Sequence, residues 1–213
     1  MKRNFKVGEK ALFAYYENGQ GTHLESVKVA TKKNALNETV YILRVLAPNS
    51  QRSHDYDESN MIKVDSNLKM AGGFYVSVDL SGLELKTLDC SGVNISRGLV
   101  CSNNPSLTTV IWPDTVAGVD VDGTSITDFH KLSVKDFICE SKNLGKSLPK
   151  VSNEFSIVDE SGMLWAAAST AKWLSVGGDK TGITSILIKN PNLSIFRAKL
   201  NLILEGKKKY ARF

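Results

Sequence analysis

Three kinds of side chain in this 213-residue sequence could do chemistry: paired carboxylates, histidines and cysteines. The sharpest pattern is Asp120-Val-Asp-Gly-Thr124, two carboxylates two positions apart directly ahead of a Gly-Thr pair. Carboxylates can serve as nucleophiles and as general acids. One more acid, Asp179, sits in Gly177-Gly-Asp-Lys-Thr181. His23, His54 and His130 fall in separate predicted loops, and their spacing proposes no Ser-His-Asp or Cys-His arrangement. Cys90, Cys101 and Cys139 form no CxxC pair and have no nearby His at metal spacing. They read as small apolar core residues in a reducing cytosol. No GxxxxGK[ST] loop and no GxGxxG after a strand occurs. The expectation is a chain with no catalytic residue, no cofactor and no metal, and therefore not an enzyme.

The elements that would carry these residues are set by a ladder of apolar pairs, two positions apart, recurring every 18 to 21 residues. The pairs are Val78/Leu80, Leu99/Cys101, Val119/Val121, Phe137/Cys139, Phe155/Ile157, Leu174/Val176 and Leu193/Ile195. An i, i+2 pair marks one face of a strand, and a period near twenty marks a stacked solenoid. A second apolar series lies between the rungs: Leu85/Leu88/Cys90, Leu107/Val110/Trp112, Ile126/Phe129, Leu144/Leu148, Met163/Trp165 and Ile183/Ile186. Each coil needs such a return wall. Asp120-Val-Asp-Gly-Thr124 falls on the ladder, where Asp-Gly-Thr reads as the turn that follows a strand.

Before the ladder, Lys10–Glu17, Glu25–Lys33, Thr39–Leu46 and Met61–Asp65 read as strands, with a polar loop from Pro48 to Asn60. In the second, Val27 and Val29 alternate with Ser26, Lys28 and Thr31, one face apolar and one wet. Phe5-Lys-Val-Gly-Glu-Lys-Ala-Leu-Phe-Ala-Tyr-Tyr-Glu-Asn-Gly19, Leu24-Glu-Ser-Val-Lys-Val29 and Thr39-Val-Tyr-Ile-Leu-Arg-Val45 resemble an SH3-like barrel of the Tudor, chromo-barrel or KOW type. That resemblance implies an aromatic site at Tyr15, Tyr16 and Tyr41, which could hold a methylated cation or simply close the barrel.

Val116 to Phe129, Leu85 to Ile95 and Asn104 to Pro113 resemble an irregular leucine-rich repeat, without the asparagine ladder of the regular form. Asp120-Val-Asp-Gly-Thr124 also resembles the first motif of haloacid-dehalogenase-type phosphatases. There the resemblance implies a nucleophile at Asp120 and a general acid at Asp122, but that family needs βαβ units and long apolar strands, and here the flanking segments are short. Gly162–Leu174 is Ala-rich and predicts a helix with Ser161 as N-cap. Leu193, Phe196, Leu200 and Ile203 predict a second, capping helix over Asn192–Glu205, stopped by Gly206. The fold class expected is therefore mainly β with few helices (α+β): a small barrel over 1–66, a solenoid with helical cap over 72–205, and a basic tail over 206–213.

Net charge is +5, and the last eight residues supply four basic side chains and no acidic one. No apolar run is long enough to span a bilayer, and no apolar segment follows the basic N-terminus. The expectation is a cytoplasmic protein with no membrane contact. On the open solenoid face, Asp79, Val100, Asp120, Ile138, Ser156 and Ser175 would alternate with the ladder. Their mixed character points to a protein partner. The second reading is nucleic-acid binding by the barrel and by Lys207, Lys208, Lys209 and Arg212. The architecture also fits a phage or mobile-element accessory protein that blocks a host complex.

Overall fold

Strand β1 (Lys10–Glu17) runs antiparallel to the long strand β2 (Gly21–Lys33), from Lys10 opposite Lys28 to Glu17 opposite Gly21. These two strands organise the computed structural model, which describes residues 4–17, 19–140, 149–158, 164–168, 173–177 and 184–186. Beyond β2 the chain forms β3 (Thr39–Val45), β4 (Ser53–Asp55), a 3₁₀ turn over Glu58–Asn60 and β5 (Met61–Lys63). β5 returns to pair with β1, so the order across this part is β5-β1-β2-β3-β4. The segment from Pro48 to Asn60, expected to be a plain loop, contains β4 and the 3₁₀ turn. Asp57 caps that turn by accepting the Ser59 N–H.

Next come β6 (Asn67–Lys69), β7 (Gly73–Tyr75), β8 (Ser77–Asp79), β9 (Thr87–Asp89), β10 (Val93–Val100), β11 (Thr109–Ile111) and β12 (Thr115–Asp120). They are followed by β13 (Ser133–Glu140), β14 (Lys150–Val158), β15 (Leu164–Ala168), β16 (Trp173–Gly177) and β17 (Thr184–Ile186). Strands β8, β10, β12, β13 and β14 pair in parallel, one from each turn of the chain, while β6, β9 and β11 make a second parallel sheet. The result is mainly β, with a solenoid-like arrangement of strands.

The ladder sets the register. Leu24, Val78, Leu99, Val119, Phe137 and Phe155 lie opposite one another in successive strands. The first five are at most 4% exposed. On the return wall Leu68, Leu88 and Val110 align in the same way. Leu85, Leu107 and Ile126 fill the turn between the sheets, and each is at most 1% exposed. Fully burying a leucine or valine side chain contributes roughly 1.5–3 kcal/mol, so the stack of rungs supplies the cohesion no single coil has.

The ladder starts earlier than the periodicity indicated. Residues 23–25 of β2 pair in parallel with β8, so β2 belongs to both parts of the fold. Leu12 and Leu24 pack in the solenoid core with Ala14 against it, while Ala11, Phe13, Val27 and Val29 pack with Phe5, Leu43, Val45 and Met61 in a second core. Both faces of β1 over residues 11–13 and of β2 over residues 23–27 are therefore buried. The expected wet face of β2 is covered where Ser26, 0% exposed, points with Leu24 rather than to solvent. Lys10 fastens the junction, donating to the Gly82 carbonyl and to Glu84, both at 2.7 Å.

One helix prediction fails. Residues within Gly162–Leu174 form β15 and the start of β16, antiparallel to β14 and to each other. Pairing along the free edge of β14 outweighs the helix preference of the alanines, a weak local term that tertiary context overrides. Leu174/Val176 thus lie on a strand, but in a hairpin rather than a parallel coil. The expected capping helix over 192–205 and the tail over 206–213 lie outside the described residues.

Candidate functional site

Three loops in this chain are one device. Asp79-Leu-Ser-Gly82, Asp89-Cys-Ser-Gly92 and Asp120-Val-Asp-Gly123 each end a strand with an aspartate whose Oδ1 accepts the N–H two residues on. In each the glycine is left-handed, at φ 67°, 73° and 68°. An Asx turn bends the chain and glycine takes the positive φ at no steric cost. Asn103, at φ 54°, holds the position of Gly82 and Gly123 in the intervening coil. Its neighbour Asn104 is wholly buried. It accepts the Leu85 N–H and donates to the carbonyls of Leu80 and Cys101, with Ser102 O at 3.2 Å. In the next coil Thr124 stands at that position and donates to Val121 O.

The phosphatase-like stretch is therefore a repeat turn. Asp120 Oδ1 is held by the Asp122 N–H at 2.9 Å, as Asp79 Oδ1 is held by Ser81. The strands on either side run parallel without an intervening helix among the described residues. Asp179 and its neighbours Gly178–Gly182 lie outside those residues. Burial pushes the Asp120 carboxyl above its usual range, with the like charges of Asp122 and Asp79 adding to the effect and the Asp122 N–H opposing it. Asp89 differs. The Ser91 hydroxyl and N–H, and then Lys69 at 3.4 Å, hold its carboxyl below the usual range.

The six residues assigned to the open face fall in one register row. Glu25, Asp79, Val100, Asp120, Ile138 and Ser156 lie opposite one another, and Ala166 connects Ser156 to Ser175. Asp79, Val100, Asp120 and Ile138 are half-buried. In the adjacent row Gly98 and Gly118 stand side by side between Ser77 and Asp136 and supply no side chain.

Where this face meets the N-terminal strands, side chains converge that were read as isolated. His23 lies in β2 and His54 in β4, not in loops. Tyr15 stacks on His23 at 5.1 Å and meets His54 at 5.2 Å. Glu25, 6% exposed, binds His54 Nε2 at 2.7 Å and Arg52 at 3.3 Å through the same oxygen. His54 must carry its proton on Nε2 to make that bond. The Tyr15 hydroxyl and then the Glu25 carboxylate push the Arg52 guanidinium up. His23 Nδ1 lies 2.7 Å from Ser77 Oγ. Its Nε2 is buried without a hydrogen-bond partner, although Glu17 Oε2 stands 3.5 Å away. The distance permits attraction, while the geometry falls short of a bond. The period-2 pattern could have revealed this group, because His23 and Glu25 share a face of β2 and Tyr15 and Phe13 sit directly across from them.

The aromatic site expected at Tyr15, Tyr16 and Tyr41 is dispersed. Tyr15 faces the histidines, Tyr41 meets Tyr56 edge-on at 5.7 Å, and Tyr16, pointing away from its neighbour, is 69% exposed. Cys90 and Cys101 are buried, and burial lifts the Cys90 thiol to about 12 and that of Cys101 upward as well. Neither is a ready nucleophile. Side chains at Cys139, Ser156 and Ser175, and all of Lys207, Lys208, Lys209 and Arg212, lie outside the described residues.

Among the described residues no group of three His, Cys, Asp or Glu side chains could hold a metal ion, and no helix is long and apolar enough to cross a membrane. The chain matches no protein-family model, no curated protein and no solved structure. Its geometry is the ground on which a function can be argued.

Proposed function

We propose that this chain is a non-catalytic interaction module, an SH3-like barrel carrying a leucine-rich-repeat-like solenoid, that engages a protein partner through the open face of its parallel strands. The barrel reading is supported by the strand order β5-β1-β2-β3-β4 and by the 3₁₀ turn placed just ahead of β5. The repeat reading is supported by the recurring left-handed turns and by Asn104. The observation that carries the function is the row Asp79, Val100, Asp120 and Ile138. It is in register, half-exposed and mixed apolar and acidic, a composition suited to protein contact. Asp120, the best candidate nucleophile, serves the fold as a turn residue.

A photo-crosslinking residue placed at Val100 tests the reading in the native source. It should give one discrete adduct that the same residue at Thr109, on the second sheet, does not give. Equal adducts at both positions, or none, would sink it.

Nucleic-acid binding is the second reading, favoured by the Lys207–Lys209 and Arg212 tail. The acids on the open face repel phosphate, which leaves the tail and barrel to carry it. Retention on heparin at low salt, by the full chain and by a chain ending at Glu205, decides. If both flow through, the nucleic-acid reading fails.

A further inference from the structure

The repeat itself contains an internal comparison. Its turn aspartate occurs on both sheets, and on the second sheet Asp89 is neutralised by Lys69 from the neighbouring strand. On the open face the equivalent aspartates, Asp79 and Asp120, have no ion-pair partner among the described residues. The position between them is Val100, and the position beyond Asp120 is Ile138. A lysine at either would neutralise the row as Lys69 does. The row is instead left acidic, and the like charges of Asp122 and Asp79 add to the burial that raises the Asp120 carboxyl. At the end of the same face nearest β1 the His23 Nε2 is buried without a hydrogen-bond partner, with Glu17 Oε2 3.5 Å away. Glu25, next in the row, is already paired with Arg52 and His54.

From these observations we infer that the open face takes a basic, extended segment of a protein partner, lying across the strands with its Lys or Arg side chains on Asp79 and Asp120. This rests on the protein-interaction reading above and names the partner's chemistry. Paired strands lie about 4.8 Å apart, so two aspartates separated by one strand are roughly 10 Å apart. A left-handed extended segment rises about 3.1 Å per residue with three residues per turn, so every third side chain returns to the same face after about 9 Å. A β-strand returns after about 6.7 Å and misses the spacing. Gly98 and Gly118 leave room for the segment's backbone beside the row, and Val100, between the aspartates, offers it an apolar contact.

Two peptides of equal charge test this on the full chain: (Arg-Ala-Pro)4, with arginines three apart, and (Arg-Ala)4, with arginines two apart. Fluorescence anisotropy at low salt should show the first binding at least fivefold tighter than the second. Its affinity should fall as salt rises. The double variant Asp79→Asn/Asp120→Asn should lose at least fivefold. Asparagine keeps the Oδ1 acceptor of each turn and removes a charge that burial disfavours, so the variant's urea midpoint should hold or rise. Asp114, exposed just ahead of β12 at the opposite end of that strand from Asp120, is the control, and Asp114→Asn should bind as the unmodified chain does. Equal affinity for the two peptides, or unchanged affinity in the double variant, overturns the inference. A discrete Val100 adduct together with failed peptide binding would overturn the charge assignment alone and leave the interaction reading standing. Absence of both would remove both.

Discussion

Asn104→Ala is the change that most directly tests whether the repeat turn holds the solenoid. The side chain is wholly buried and serves two coils at once, reaching Leu80 and Leu85 in one and Cys101 in its own. Truncation leaves the Leu85 N–H and the Leu80 and Cys101 carbonyls without that partner. A buried polar group left unpaired costs about 1–3 kcal/mol. Three such groups, relieved in part by water entering the vacated space, cost about 4 kcal/mol together. With a urea slope of roughly 2.5 kcal/mol per M, the unfolding midpoint should fall by about 1.5 M. Asn103→Gly is the control. Asn103 itself sits at φ 54°, which glycine adopts without strain, so the midpoint should stay or rise slightly. Asn104→Asp should be at least as damaging as alanine, because a carboxylate cannot donate to the carbonyls. A midpoint drop of under about 0.3 M for Asn104→Ala would refute the reasoning, because it would mean the coils are held by apolar stacking alone.

Gly123→Ala should destabilise by about 2 kcal/mol in the same assay, since its φ is 68° and a Cβ would come within 3.0 Å of the Asn103 nitrogen. Asp120→Asn should leave the fold intact; loss of the folded state would show that the carboxylate does more than accept one N–H. Because burial raises the Asp120 carboxyl, the folded state holds that proton more tightly than the unfolded one. Stability should therefore fall as pH rises from the ordinary aspartate range through the raised value, and then level off. Asp120→Asn should flatten that slope, and an unchanged pH–stability profile would contradict it. Val121→Asp buries an unpaired charge at a position 0% exposed and should abolish the cooperative transition seen by circular dichroism.

What the sequence made legible was whatever repeats with a fixed period. Val78, Leu99, Val119 and Phe137 are in register because each coil returns its apolar pair to the same height, and the alternating open-face residues follow from the pleat. The turns were legible too, because Asp120-Val-Asp-Gly-Thr124 falls on the ladder where a strand must end. Asp79-Leu-Ser-Gly82, Asp89-Cys-Ser-Gly92 and Asp120-Val-Asp-Gly123 share one pattern, which identifies the last as a turn without recourse to coordinates. The Tyr15, His23, Glu25, Arg52 and His54 group was legible only in part: alternation puts His23 and Glu25 on one face of β2, but the pairing that brings up Tyr15 from β1, His54 from β4 and Arg52 just ahead of it depends on tertiary structure. The Ala-rich segment after Ser161 misled for the opposite reason. Its local preference is real, but the open edge of β14 offers backbone partners that an isolated helix does not require.

The shared strand has a consequence for how the two parts can act. Had the strands of residues 1–66 stood apart from the solenoid, Ser26 would have faced water, as the alternation of β2 suggested, and Leu24 with it. Instead Leu12 and Leu24 complete the solenoid core, and β8 covers the edge of β2 at residues 23–25. Cutting the chain after residue 66 would strip that cover and expose two leucines together with the unpaired edge, an invitation to aggregation. A fragment 1–66 should therefore bind a hydrophobic dye and lack a cooperative thermal transition. A fragment that melted cooperatively at the full chain's temperature would show that residues 1–66 stand alone. If the fragment fails as expected, the N-terminal strands cannot swing as a separate reader. Tyr15, His54 and Arg52 are then a fixed wall at one end of the acidic row, and any partner lying along that row meets both parts at once.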